Sequence, residues 1–540
     1  MKLNSIFDIA SKIGLQPSDL FCYGPYKAKI EPRKANKKSK LVLVTAITPT
    51  KYGEGKTTTV ISLVDGLNAI GKKAIATLRE PSLGPVFGLK GGATGGGKVT
   101  VEPSEDINLH FNGDMHALTS SIDLIAAVID NHIYQGNELD IDPTRVQFKR
   151  ALDVNDRSLR EITIAQGPLS KASGRPLNGI ERKDGFVITV AHELMAIMCL
   201  AKDEDDFAAR LKNILVGYSL SEHKKITVGD LKVSKAVMKL MRQALKPNLV
   251  QTSNGSPALV HGGPFANIAH GCCSLISLNT ASALSDIVVT EAGFGSDLGA
   301  EKFLDIVSDV GDLRPDLCVM VVTIRALKHH GGWQEDEGES VDKMLEGTKN
   351  LLQHISNMKK FGLDVVCNIN KFYQDTPSEI QALEKFLDER NIPYALNDGF
   401  ESGVEGCIDI ANLVSEHLQM NLSNYHRLYN KNEPLKDKIE KICKEIYHSS
   451  LVEYAPLALN KLSEYSSDKD YSSFYVCNAK TPMSFSDNAK LLNAPKDFVC
   501  HVKDIELAQG AEFVIPIMGS IVRMPGLPKV PAACKMEEDD

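Results

Sequence analysis

At 540 residues the chain exceeds the length at which one hydrophobic core stops growing, so two to four domains are expected. Its 43% hydrophobic and 24% charged content is ordinary for a globular protein, and a net charge of −8 excludes a general attraction to nucleic acid or to an anionic membrane. The start carries no signal-peptide core, no run of eighteen apolar residues occurs, and eleven cysteines are scattered without paired metal spacing; a cytoplasmic protein with free thiols is predicted.

In chain order, the basic cluster Arg33, Lys34, Lys37, Lys38 and Lys40 is short and has no aromatic partners, which suits a solvated linker. The apolar run Leu41–Ile47 then predicts a buried strand, and a helical pattern closes at Ile70-Gly71. Between them lies Thr48-Pro49-Thr50-Lys51-Tyr52-Gly53-Glu54-Gly55-Lys56-Thr57-Thr58-Thr59. A strand, a glycine loop and a helix N-terminus in that order present backbone N–H donors and a favourable dipole to a phosphate chain. Residues 48–58 are therefore the expected nucleotide site, with Lys56 at the terminal phosphates and the Thr57 hydroxyl on Mg²⁺. The usual pattern places glycine where this chain has Thr50, and a plain lysine-bearing loop is the alternative.

The next β-rich run, Lys73–Leu78, leads to Arg79-Glu80-Pro81-Ser82, expected one strand over from the phosphate loop. Arg79 suits a second anion such as a carboxylate, or else it caps a strand end at the surface. Glu80 and Ser82 offer hard oxygens suited to a cation. From Gly84 to Gly97 there are seven glycines in fourteen residues, as in a loop that approaches or closes over a ligand; a flexible linker is the other reading. His110, Asp114 and His116 fall within seven residues. That is a weak metal pattern, better suited to proton handling or to hydrogen bonding an anionic intermediate, with core or capping histidines as the alternative.

Residues from about 140 to 270 lose this rhythm and predict an inserted domain. Their last turn, His261-Gly-Gly-Pro-Phe-Ala-Asn267, suits packing and ligand contact equally. Strand patterns return at Asp286–Thr290, Leu317–Ile324 and Asp364–Ile369, with a helix whose Met344, Leu351, Ile355 and Met358 share a face. Apolar strands alternating with helices predict an α/β fold with a parallel sheet covered on both faces, which would gather Lys56, Arg79, Glu291, Arg325 and Phe372 at one edge. Asn370-Lys371-Phe372 is similar to a guanine-reading motif, but Tyr373 stands where its aspartate would be, which counts against GTP. The stretch 425–500 is weakly patterned and expected to be peripheral.

Taken together, these segments resemble the formate–tetrahydrofolate ligase family. The matching blocks are residues 48–59, 79–92, 105–117, 261–271, 290–303, 325–328 and 524–533, in order over nearly the whole chain. The resemblance implies a P-loop-type sheet formed by 1–139 and 271–350, an inserted domain at 140–270, and a C-terminal α/β domain at 351–540 on the folate side. It implies an ATP- and Mg²⁺-dependent joining of formate to tetrahydrofolate through formyl phosphate, in a homotetramer stimulated by a monovalent cation, K⁺ or NH₄⁺. Lys56 would hold phosphate, Arg79 formate and formyl phosphate, and Glu80 and Ser82 the cation. Phe294, Phe372 and Phe400 would face the pterin, and His110, Asp114 and His116 would serve the chemistry.

The chain departs from the family pattern at Phe400, where tryptophan is common, at His192 in place of serine, at Asn254 in place of glutamate, and at 305–308. Two other functions remain to be weighed: a P-loop ATPase switch that acts by dimerisation, and a relic that binds folate without turnover. ADP release that needs both formate and tetrahydrofolate separates the ligase from both.

Overall fold

The computed structural model describes residues 3–90, 92–335 and 337–536; Gly91, within the glycine-rich segment, lies outside the described residues. Twelve strands build the main sheet. They are β1 (Leu20–Cys22), β2 (Ala28–Ile30), β3 (Lys40–Ala46), β4 (Ala74–Leu78), β5 (Gly95–Gly96), β6 (Val99–Glu102), β7 (Asn248–Thr252), β8 (Pro257–Val260), β9 (Ile287–Glu291), β10 (Leu317–Val322), β11 (Val365–Asn370) and β12 (Tyr394–Asn397). In space they run β1-β2-β7-β8-β4-β9-β3-β10-β11-β12, with the β5–β6 hairpin attached to β7.

From β8 to β12 every neighbouring pair is parallel, while β1, β2, β6 and β7 add an antiparallel flank. The fold is thus α/β with a mostly parallel central sheet, as the alternating pattern predicts. One spatial expectation is corrected. Arg79, at the end of β4, is two strands from the phosphate loop after β3, because β9 arrives from much later in the chain and pairs with both. At about 4.8 Å per strand the two loops are set about 10 Å apart, with the end of β9 between them.

Burial on both faces explains the apolar strands. In β3, Leu41 and Leu43 enter one core cluster while Val42, Val44 and Ala46 enter the other, the period-two alternation of a pleated strand. Helix α1 (Lys56–Ala69) fills the second cluster with Val60, Ile61, Leu63, Val64 and Leu67, beside Ile410 and Val414 of a later helix. The first cluster takes Leu275 and Leu278 from a helix at 275–284, and Met344, Leu351, Ile355 and Met358 from one at 341–360. Each such side chain contributes roughly 1.5–3 kcal/mol when fully buried.

The stretch 425–500 is more ordered than its pattern suggests. It carries helices at 435–445 and 456–467 and supplies strands to a four-stranded sheet completed by 499–508 and 513–518. Tyr447, Lys438 and Lys480 are fully buried there. The lysine ammonium groups are met by the carbonyls of Lys431 and Phe474 and by the Asp297 carboxylate at 2.7 Å. Polar composition concealed core positions because each buried charge has its own acceptor. Likewise the segment 140–270 feeds β7 and β8 into the main sheet.

Candidate active site

The carboxyl ends of β4, β9, β3, β10 and β11 converge, and the residues singled out at their ends meet there. After β3 the loop turns into α1 through Gly55, whose φ of +75° and whose approach to Asn370 both demand glycine; a Cβ would lie 2.3 Å from Asn370 Nδ2. Among the described residues no side chain caps the start of α1, an end where the helix dipole favours an anion. Thr48 is fixed by a buried network: its hydroxyl is 2.9 Å from His354 Nε2, and its N–H donates to Asn350 Oδ1 at 3.2 Å. Farther out, Tyr52 donates to Glu335 at 2.6 Å and Lys51 pairs with the same carboxylate at 2.8 Å.

Glu291 ends β9 between the two loops and ties them together. Its Oε2 accepts the Thr57 hydroxyl at 2.8 Å, and its Oε1 accepts Arg79 Nε and Nη2 at 3.3 and 3.2 Å. Burial alone would raise its carboxyl, but Arg79, Lys56 and the Thr57 hydroxyl outweigh it and hold the group below the usual range. An ionised, buried carboxylate beside a lysine and a threonine at a helix N-terminus is the donor set that a phosphate-bound Mg²⁺ requires, so these residues fit the ion. Sequence reasoning placed Glu291 at this edge without giving it a role. Its position one residue from a glycine turn at a strand end was the available signal.

Around Arg79, Glu80 is buried, and burial followed by the nearby Asp114 carboxylate pushes its carboxyl well above the usual range. Its Oε2 has no hydrogen-bond partner, an orphan acceptor that fits a monovalent cation. Ser82 donates to Asp153 at 2.6 Å, which leaves its oxygen lone pairs available. Asp114 lies in a buried ion pair, accepting from Lys29 Nζ at 2.6 Å and from Asn248 Nδ2 at 2.8 Å. His110 and His116 are exposed, and among the described residues neither is hydrogen-bonded to Arg79 or Glu291.

Among the described residues, both ends of the glycine-rich segment pack against protein. Its first part is helical, and the Gly84 carbonyl accepts from Asn155 Nδ2 at 3.1 Å. Its last part is the β5–β6 hairpin, where Gly97 (φ +59°) packs on Phe400 and Lys98 N–H donates to the Phe400 carbonyl at 2.9 Å. Phe400 is 43% exposed. Phe372 is half-buried, with the Arg325 guanidinium 4.9 Å from its ring centroid. Phe294, half-buried in the turn after Glu291, holds a left-handed φ of 58°. Of the HGGPFANIAHG segment, His261 serves packing: it contacts the Ser274 hydroxyl at 2.5 Å and the Ala244 carbonyl at 2.6 Å, buried and held neutral.

All eleven cysteines are free, nine of them buried; among the described residues no helix is long and apolar enough to cross a membrane, and no cluster of three or more His, Cys, Asp or Glu could hold a metal.

A parallel sheet whose central strand ends in a glycine turn, Lys56-Thr57 and an uncapped helix, with an acidic residue closing the next strand, is the architecture of the P-loop class of α/β proteins. Within that class the comparisons are specific: the family model for formate–tetrahydrofolate ligase matches residues 1–540. A formate–tetrahydrofolate ligase of Caldicellulosiruptor saccharolyticus is 48% identical over all of this chain and 97% of its own length, and one of Staphylococcus epidermidis is 47% identical over all of this chain and 96% of its own. The chain belongs to the formate–tetrahydrofolate ligase family.

Proposed function

We propose that the chain joins formate to tetrahydrofolate at the expense of ATP, through formyl phosphate. The observation that carries this reading is the Thr57–Glu291–Arg79 chain of hydrogen bonds, which links a phosphate-binding helix start to an arginine suited to a carboxylate. Formate is a poor electrophile, and two substrates set about 10 Å apart by the sheet would be bridged by a γ-phosphate.

The first turn of α1 and the Lys56 side chain would hold the β- and γ-phosphates. Thr57 and Glu291 would hold Mg²⁺, which supplies charge neutralisation at those phosphates. Glu291 occupies the Nε and Nη2 edge of Arg79 through one oxygen, so the Nη1 donors remain for formate. A formate oxygen attacks the γ-phosphorus, the bond to ADP breaks, and formyl phosphate forms. Lys56 and Arg79 stabilise the charge that develops on the transferred group. The tetrahydrofolate amine then attacks the formyl carbon. A C–N bond forms, the C–O bond to phosphate breaks, and the nitrogen gives up its proton.

Phe372, Phe400 and Phe294 would hold the pterin, with Arg325 stacked behind Phe372. Glu80 and Ser82 would hold K⁺ or NH₄⁺. His110, Asp114 and His116 stand at a distance in role: Asp114 orders the Lys29 ammonium beside Glu80, and the two exposed histidines would serve proton exchange. The reading includes a cytoplasmic homotetramer, with 1–139 and 271–350 on the ATP side, 140–270 as an insert that lends β7 and β8 to the main sheet, and 351–540 on the folate side, lending it β11 and β12. A coupled assay for formyltetrahydrofolate, omitting ATP, formate and folate in turn, tests it. Product must require all three, and ADP release indifferent to formate and folate contradicts it.

A further inference from the structure

Glu54 lies between Gly53 and Gly55, both left-handed at φ +76° and +75°, so the backbone on either side has unusual freedom. Its side chain is nevertheless buried and each oxygen is anchored. Oε1 accepts the Thr50 N–H at 2.6 Å, and Oε2 accepts the Thr323 hydroxyl at 2.5 Å. Thr323 follows β10 and caps the helix Ile324–His330 by accepting from Ala326 N–H at 3.1 Å. Two residues on, Arg325 Nη2 donates to the Gly53 carbonyl at 3.3 Å. Its guanidinium lies 4.7 Å from the Tyr52 ring centroid and 4.9 Å from that of Phe372, and its Nε is buried without a partner. From the end of β11, Asn370 Nδ2 donates to the Glu54 carbonyl at 3.1 Å. The shape of the phosphate loop is therefore set from the ends of β10 and β11, which carry Arg325 and the Phe372 ring beside it.

We infer that Glu54 is a positioning residue which, through Thr323 and Arg325, locks the phosphate loop to the Phe372 rim, so that nucleotide and folate strengthen each other's binding. The inference rests on the ligase reading, which puts the nucleotide on one side of this clamp and the pterin on the other. Two glycines let the loop sample several shapes, and the clamp selects one. Whichever ligand arrives first orders the shared elements, and the second is spared that cost. The effect must be reciprocal.

Titration calorimetry of a non-hydrolysable ATP analogue with Mg²⁺, with and without saturating tetrahydrofolate and without formate, tests this. In the wild type, folate should tighten the analogue by a factor in the range of roughly 5–150 that coupled sites show, and the analogue should tighten folate equally. In Thr323→Val, which lacks the hydroxyl, the factor should vanish while each ligand alone still binds, and Thr323→Ser should restore it. Should Thr323→Val fail to fold for want of its helix cap, Arg325→Leu, at a half-buried position, must lose the factor instead. A wild-type factor of one, or coupling unchanged in the variants, overturns the inference. Failure of the wild type to bind either ligand would instead overturn the ligase reading, and turnover with independent binding would overturn the clamp alone.

Discussion

Arg79 rests its guanidinium on Glu291, Nη2 to Oε1 at 3.2 Å, although the two side chains leave strands that are 212 residues apart in sequence. Glu291 is 5% exposed and Arg79 25% exposed, so the carboxylate is sheltered while the arginine still faces the cleft. The pair orients the arginine and places negative charge beside Lys56 and Thr57.

Replacing Glu291 by glutamine keeps the shape and removes the charge. The amide keeps a single acceptor oxygen, so only one of Arg79 and Thr57 retains its acceptor, and the ionised carboxylate proposed to hold Mg²⁺ is lost. Turnover should fall about 10²–10³-fold, the scale of removing one preorganised electrostatic group, with the KM for tetrahydrofolate little changed. Steady-state kinetics in each substrate reads this directly. A variant with wild-type kcat would show that Glu291 only braces the fold.

The β5–β6 hairpin and Phe400 move as one unit if their contacts matter. At Gly97 an alanine Cβ would lie 2.2 Å from the Phe400 carbonyl oxygen at a backbone angle that side chains disfavour by about 1–2 kcal/mol. Gly97→Ala should lower the melting temperature and raise the KM for folate while leaving that for ATP unchanged. Phe400→Ala should weaken folate by about 0.5–1.5 kcal/mol, and Phe400→Trp should recover or exceed wild-type affinity. Equal changes in both KM values would break the link between this hairpin and the folate side.

His192 caps the helix Glu193–Leu200 by accepting the Leu194 N–H at 3.0 Å on Nδ1, which requires a neutral ring. Burial, aided by Arg523, lowers its pKa from 6.5 to about 3. A depressed base favours the folded state only while the unfolded chain is also neutral. Its contribution is therefore complete above pH 6.5 and is lost as pH falls from 6.5 towards 3. Glu193 works in the opposite direction: burial raises it to about 7, so the folded state keeps a proton that the unfolded chain releases at 4.5, and stability falls as pH rises between those values. His192→Ser preserves the cap and removes only the first effect. Denaturant titrations against pH should show the wild type losing up to about 1.4 kcal/mol per pH unit relative to the variant below pH 6.5. Parallel curves would mean that His192 titrates normally.

The pair Lys29–Asp114 is almost wholly buried at 2.6 Å. Lys29→Met leaves Asp114 and its neighbour Glu80 without their cation and should cost about 3–5 kcal/mol, whereas the double change with Asp114→Leu should cost much less. Chemical denaturation of both variants measures the difference, and equal losses would show that packing rather than charge governs the position.

The parallel strands were legible because each is an apolar run bounded by polar turns, and the phosphate loop because its glycines and Lys56 occupy a strand-to-helix junction. Strand order was not: nothing in the chain near Arg79 announces that β9 lies beside it. The buried lysines 438 and 480 were hidden for a related reason, since their acceptors are backbone carbonyls and Asp297, which are visible only after folding. Nor does the run of glycines announce that Gly84 lies against Asn155 or Gly97 against Phe400. The Glu54–Thr323 bond joins residues 269 apart and has no local signature at all.

Formyl phosphate as the intermediate is tested most directly by following oxygen from formate. A formate oxygen that attacks the γ-phosphorus stays with phosphorus when the C–O bond later breaks. With ¹⁸O-labelled formate, the acyl-phosphate route predicts one labelled oxygen in each inorganic phosphate released by the wild-type enzyme, and loss of this transfer in step with turnover in Arg79→Ala. Unlabelled phosphate formed alongside formyltetrahydrofolate would contradict it.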